Sequence, residues 1–265
     1  MLCNGVVMSQ PGVYRTQKKN GETYYRSSFT FRNRHISLGS FETEKDAHDA
    51  YRDALRLCRS DNLTIREYNP HRFTIPFEKY VSIINFRDND VFFANPIYLQ
   101  ERYFEYYFTK ELYYKFDIDD LFYYAGHKIV KRGNHLFVAD YGMQVNLLSR
   151  YGIKSHAVLD RDYRFINNDR TDFRYENIEV INPYIGVQKT QKKGQTVYKA
   201  SILVNGTFVI GYYDDAETAA IAYNKAADRL EGRFGRHYRQ NYIESLSPRE
   251  YADLYAKTVI SARLP

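Results

Sequence analysis

The sequence predicts an α+β protein. Two small modules, each a three-stranded antiparallel sheet plus a helix, are expected at 1–60 and 185–265, flanking a mixed α+β middle domain at 61–184. The first observation behind this is an internal repeat. Residues 12–57 read GVYRTQKKNGETYYRSSFTFRNRHISLGSFETEKDAHDAYRDALRL, and 186–229 read GVQKTQKKGQTVYKASILVNGTFVIGYYDDAETAAIAYNKAADR. They share Gly12/Gly186, Thr16/Thr190, Lys18/Lys192, Tyr25/Tyr198, Ser28/Ser201, Gly39/Gly211, Ala47/Ala219 and Tyr51/Tyr223. The second is periodicity: inside each copy a spacing of two gives way to helical spacing. The third is charge: residues 12–41 hold six Lys/Arg and one acid, and 186–213 hold four Lys and no acid, while the helices are acid-rich.

Residues 12–19 read as a strand ending at an Asn20-Gly21 turn. Residues 23–31 alternate, with Tyr25, Ser27, Phe29 and Phe31 on one face and Arg26, Ser28, Thr30 and Arg32 on the other. Asn33-Arg34 reads as a second turn and 35–41 as a third strand. Thr43 caps a helix over about 44–58, whose Ala47, Ala50, Tyr51, Ala54 and Leu55 share a face and let it lie close to the sheet. The sheet face away from the helix is expected to be polar and cationic, which suits phosphate contacts with a nucleic acid.

Gly-Val-Tyr-Arg, Leu-Gly-Ser-Phe and the helical Ala-x-x-Ala-Tyr-x-x-Ala resemble the APETALA/ethylene-response-factor DNA-binding domain, over about 45 residues per copy. That resemblance implies a sheet laid in the major groove. It places Tyr14, Thr16, Ser28, Thr30, His35 and Ser37 toward the groove, and in the second copy Gln188, Thr190, Ser201, Leu203, Thr207 and Val209. Arg15, Lys18, Arg26, Arg32 and Arg34 join them as cations, as do Lys189, Lys192 and Lys199. The family's arginines and tryptophans are mostly missing, so the base sequence read must differ, and the second copy is expected either to bind weakly or to pack against something.

In the middle domain, YRFINNDRTDFRYENIEVIN at 163–182 is similar to HNH endonucleases that carry such a domain downstream. Asn167, Asp169, Asp172, Arg174, Glu176, Asn177 and Val180 match their pattern. The base histidine position holds Phe165, the metal-binding aspartate position Arg164, and the central asparagine position Phe173. Asn182-Pro183-Tyr184 leads straight to Gly186, leaving no room for the family's last ligand-bearing helix. The resemblance therefore implies an HNH-like remnant over about 129–182 with no catalytic residues. Asp169, Arg174, Glu176 and Asn177 are expected to hold a compact loop. A rebuilt metal site at His156, Asp160 and Asp162 is disfavoured, and no metal or cofactor is expected. His127 and His135 flank a hairpin turning at Gly133-Asn134. Tyr103, Tyr106, Tyr107 and Tyr114 have helical spacing and mark a packing face, 141–150 reads as a short helix, and 160–164 reads as a loop. Ser247-Pro248-Arg249-Glu250 opens a C-terminal helix to about 260, with Tyr251, Leu254, Tyr255, Thr258 and Val259 on one face. It packs on the body or pairs with another copy.

Composition bounds the class. The 265 residues are 44% hydrophobic, with 27 Tyr and no Trp, and carry a net charge of +6. This argues for folded domains and permits an acidic partner. Cys3 and Cys58 form no CxxC pair, which argues against a cysteine zinc site and fits a reducing compartment. The start MLCNGVVMSQ lacks a signal-peptide pattern, and no apolar run of about 18 residues exists. The expectation is a non-catalytic, cytoplasmic, nucleoid-associated protein that binds double-stranded DNA bivalently, without membrane contact. Its role would be regulatory or tied to a mobile element, and homo-oligomerisation stays open. The alternatives are an HNH homing-type endonuclease and a module that binds acidic proteins.

Overall fold

The computed structural model describes residues 10–133, 135–140, 143–155, 157–235 and 237–265. Cys3, Asn134 and His156 lie outside them. Among the described residues the strands form five separate small sheets: β1 (Val13–Gln17), β2 (Thr23–Phe31) and β3 (Arg34–Phe41); β4 (Ile97–Leu99), β5 (Tyr103–Tyr107) and β6 (Tyr113–Asp117); β7 (Ile129–Arg132), β8 (His135–Asp140) and β9 (Met143–Asn146); β10 (Tyr163–Phe165) and β11 (Ile178–Val180); and β12 (Val187–Lys192), β13 (Gln195–Leu203) and β14 (Thr207–Tyr213). Helices α1 (Glu44–Arg59), α2 (Phe77–Asn89), α3 (Leu121–Gly126), α4 (Ala216–Phe234) and α5 (Pro248–Lys257) are interspersed among them. This corrects the expected architecture. Sheets recur along the whole chain, so two sheet-and-helix modules do not flank one middle domain.

The chain gathers into two compact units. One holds 1–131, 138–144 and 170–175, and the other 132–137, 145–169 and 176–265. In the first, α1 lies on β1–β3. Thr43 accepts the Asp46 amide at 3.1 Å, and Ala47, Ala50, Ala54 and Leu57 are fully buried. Helix α2 is buried on nearly every side from Tyr80 to Arg87, and its buried polar side chains Ser82, Asn85 and Arg87 donate to the carbonyls of Glu78, Val91 and Leu57. Residues 103–117, read above by helical spacing, are instead two strands. Period-two alternation sends Phe104, Tyr106, Tyr114 and Phe116 to one face, where Phe116 meets Tyr124 at 4.6 Å and Phe173 at 5.7 Å. Tyrosine and phenylalanine favour strands, and two residues 3 or 4 apart can satisfy a helix pattern by accident in so aromatic a segment.

In the second unit, α4 packs on β12–β14 around Ile202, Ile210, Ala219, Ala222, Tyr223 and Ala226. Asp215 caps α4 by accepting the Thr218 amide at 2.6 Å, and Gly235 ends it at φ +65°. Ser247 and Glu250 form the expected capping box of α5. That helix packs on α4: Asn224 donates to Tyr251 Oη at 3.0 Å, and Tyr255 donates to Asp228 at 2.7 Å. It ends at Lys257, and Val259 is 81% exposed, so Val259 does not share the packed face. The helix expected at 141–150 is strand β9 followed by a single 3-10 turn at Leu147–Tyr151. Part of the loop expected at 160–164 is β10.

Candidate nucleic-acid interface

Both repeat sheets share one local device. In each, the third strand carries a bulge against the central one: Leu38 is the extra residue opposite Ser27/Ser28, and Ile210 the extra residue opposite Ala200/Ser201. The central-strand amide opposite the bulge donates to a glycine carbonyl: Ser28 to Gly12 at 3.0 Å, and Ser201 to Gly186 at 2.8 Å. Opposite the extra residue the simple alternation of burial fails, and Ser27, Ser28 and Phe29 are buried in succession. A strictly alternating reading places Ser28 in the open, but it is 7% exposed.

On the first sheet the face away from α1 carries Tyr14 opposite Arg26 and Ser40, Thr16 opposite Tyr24, Ser28 opposite Ser37, and Thr30 opposite His35. The Arg26 guanidinium lies 5.8 Å from the Tyr24 ring. The other cations are elsewhere. Arg15 shares the row of Tyr25 and Phe41, on the helix side. Lys18 lies past the end of β1 and pairs with Glu22 at 3.0 Å. Arg32 has φ +46° in the Arg32-Asn33 turn, and its Nη1 donates to the carbonyls of Phe86 and Arg87, each at 3.0 Å, and to Asp90. Arg34 begins β3 opposite Phe31 and lies 4.8 Å over Phe92. The turn falls one residue earlier than the sequence suggests, which moves both arginines off the outer face.

The second sheet is better furnished. Gln188, Lys199 and Tyr212 form one outer row, Thr190 faces Val197, Ser201 faces Val209, and Leu203 faces Thr207. Lys192 lies 4.1 Å over the Tyr212 ring. Lys189 takes the helix-side row of Tyr198 and Tyr213. Beside this face a groove of about 330 Å³ is lined by Lys154, Arg161, Gln188, Lys199, Ser201 and Thr207, among others. Lys154 and Arg161 escape a motif search because they come from a segment outside the repeat.

The groove's floor is rigid. Asp162 is 7% exposed and accepts the Val158 amide at 2.8 Å, the Arg161 guanidinium at 2.6 Å and Asn182 Nδ2 at 3.0 Å. Burial alone would raise its carboxyl, but these hydrogen bonds outweigh burial and hold it below the ordinary carboxylate value. Asn182 also accepts the Lys189 amide at 2.7 Å, tying the groove to β12.

No protein-family model, curated protein or solved structure matches this chain.

The segment with the endonuclease-like pattern is held by local bonds. Asn177 accepts the Asn167 amide and Asn167 accepts the Asp169 amide, both at 2.8 Å. Arg174 grips Asp172 twice, at 2.8 and 2.7 Å. Phe165 and Phe173 are 7% and 6% exposed and belong to different compact units. Among the described residues no group of three or more His, Cys, Asp or Glu side chains is arranged to hold a metal. Asp160 and Asp162, read with His156 as a disfavoured metal site, are a φ +65° turn residue and the buried partner of Arg161. None of the described helices is long and apolar enough to cross a membrane.

Proposed function

We propose that the chain is a non-catalytic double-stranded DNA-binding protein that presents the outer faces of its two small repeat sheets to the duplex. The carrying observation is the second sheet's outer face, where Lys199 lines the groove containing Lys154 and Arg161, and Lys192 lies over Tyr212 on the same face. Cations on a sheet face neutralise phosphates and release counterions. Between them, Gln188, Thr190, Ser201 and Thr207 offer side-chain donors and acceptors for base edges, and Leu203 and Val209 offer apolar contact to thymine methyls. The resemblance to the APETALA/ethylene-response-factor domain supports the major groove as the place of contact. Bound DNA would put the protein at the nucleoid, in a regulatory or mobile-element role.

Charge placement makes the second copy the stronger anchor, the reverse of the sequence expectation. The first sheet contributes Arg26 and a row of hydroxyl and imidazole groups. Two modest sites in one chain gain affinity through effective concentration wherever one duplex can engage both.

A second reading has one observation in its favour. Leu203, Val209 and Tyr212 are 61%, 41% and 45% exposed on the same sheet face, as a protein-binding patch would be. The deciding experiment is duplex binding by fluorescence anisotropy across a salt series, followed by selection from a random duplex library. DNA reading requires affinity that falls steeply with salt together with an enriched sequence. Binding that ignores salt, or a library that enriches nothing, sinks it.

A further inference from the structure

Helix α2, the 3-10 turn at Ile65–Glu67 and the β4–β6 sheet line a solvent-open cavity of about 500 Å³ within the first compact unit, well within the size of small-molecule sites. Its lining includes Glu67, Asp88, Tyr98, Glu105, Tyr107 and Tyr113. The carboxylates differ in how far they are satisfied. Glu67 accepts the Thr64 amide at 2.8 Å as a capping-box partner. Asp88 is gripped by Arg87 at 2.6 and 3.2 Å and receives the Tyr98 hydroxyl at 3.1 Å. Glu105 is 7% exposed and accepts the Tyr107 hydroxyl at 2.6 Å. Among the described residues it makes no ion pair, although Lys115 stands opposite it on β6.

A buried carboxylate without a cation is costly, and its remaining lone pairs call for a charged donor. The nearby tyrosines donate outward from the cavity's needs. Tyr107 and Tyr98 spend their protons on Glu105 and Asp88, and burial followed by these acidic neighbours pushes both phenols up, keeping them neutral. The buried part of the wall is thus rich in acceptors, and the cationic donors stand at its exposed rim. It is also aromatic: the rings of Tyr107 and Tyr113 lie 5.0 Å apart at 30°. Arg66 and Lys110 also line the cavity but are exposed, where solvent screens them, whereas Glu105 is not screened.

We propose that this cavity binds a small organic cation, a primary ammonium or guanidinium, with its charge on Glu105 and its body against the Tyr98, Tyr107 and Tyr113 rings. A metal ion fits less well, because each lining carboxylate already accepts a hydrogen bond and no three of them are grouped to hold one among the described residues. The site is separate from the sheet faces assigned to DNA, so failure of either reading leaves the other standing.

Butylammonium and butylguanidinium, with 1-butanol as the uncharged control, are titrated into the full chain by calorimetry and thermal shift. Both cations should bind and raise the melting temperature with dose, and butanol should do neither. Glu105→Gln should lower cation affinity at least tenfold while leaving the ligand-free protein about as thermostable, since the amide oxygen can still accept the Tyr107 hydroxyl. Equal binding of butanol, no cation binding to the wild type, or undiminished binding by Glu105→Gln overturns the proposal. If that variant does not fold, Tyr113→Leu decides: a severalfold loss of cation affinity supports the site, and unchanged affinity overturns it.

Discussion

The ring of Tyr51 occupies the space that a side chain on Gly12 would need, and Tyr223 stands in the same relation to Gly186. Both glycines have positive φ, +75° and +72°. Each carbonyl receives the central-strand amide that lies opposite the bulge. The glycine, the bulge and the helix tyrosine thus form one joint that sets the distance between strand and helix. Gly12→Ala or Gly186→Ala combines a left-handed backbone penalty of about 1 kcal/mol with overpacking of about 1–3 kcal/mol. Chemical denaturation should show a loss of about 2–4 kcal/mol in the affected unit. A loss below about 0.5 kcal/mol would mean that the ring moves freely aside.

Arg32 and Arg26 look alike in sequence, and the structure separates them. Arg32 Nη1 serves two carbonyls at the end of α2, as well as Asp90, with 42% of the side chain exposed. Arg26 sits on the open sheet face. Arg32→Met should therefore cost about 1–2 kcal/mol of stability, discounted for its exposure, and Arg26→Ala less than about 0.5 kcal/mol. Duplex affinity at low salt should respond to Arg26→Ala once both variants are compared at equal folded fraction. The opposite ranking in thermal melts would return Arg32 to the outer face.

What was legible in the sequence was local. The Asn20-Gly21 turn, the Thr43 cap and the alanine stripe of α1 are each set by neighbours within a few residues, and each forms. The burial of Ser28 was not legible, because it depends on partners distant in sequence: the extra residue Leu38 across from it in β3, and Gly12, sixteen positions away, whose carbonyl takes its amide. Nor was the grouping of Lys154 and Arg161 with Lys199, which depends on Asn182 linking the Asp162 turn to β12. The strands at 103–117 were hidden by composition: where eight of fifteen residues are aromatic, a helical spacing can be drawn through tyrosines that the strands send to opposite faces, Tyr103 and Tyr107 to one and Tyr106 and Tyr114 to the other.

Phe173 stands where the endonuclease pattern has asparagine, and it is a core residue, within 5.7 Å of both Tyr114 and Phe116 ring centres. Phe173→Asn, the reversion toward that pattern, should cost about 3–5 kcal/mol through lost burial and a stranded amide. It should confer no cleavage of supercoiled plasmid with magnesium, manganese or zinc. Nicking by the wild-type chain under those conditions would overturn the non-catalytic reading.

Asp162 gives the groove an acid limit. Its folded-state carboxyl lies below the ordinary value near 3.8. A depressed carboxyl contributes stability that is present above the unfolded value and lost as pH falls through the folded one. The second unit should therefore weaken below about pH 4, near the ordinary aspartate value, and Asp162→Asn should flatten that acid limb. Above pH 5 the same variant should lose about 1–3 kcal/mol, because Arg161 and the Val158 amide lose a charged acceptor. An unchanged acid limb would show that other carboxylates govern acid unfolding.

The sharpest test of DNA binding lies in the second sheet. If Lys154 and Lys199 each meet one phosphate, changing both to Gln should reduce the slope of log affinity against log salt by about two. The loss should be uniform across duplex sequences, because phosphate contacts carry no sequence information. Ser201→Ala and Thr207→Val sit on the same face but carry no charge. They should leave the salt slope alone and alter the sequence preference, by about 1–3 kcal/mol where a contacted base pair is lost. All four positions are on the outer face or in its groove, so the variants should fold normally, and circular dichroism checks that. A double lysine variant with the wild-type salt slope would remove the second sheet from the duplex interface and shift its exposed Leu203, Val209 and Tyr212 to the protein-binding reading.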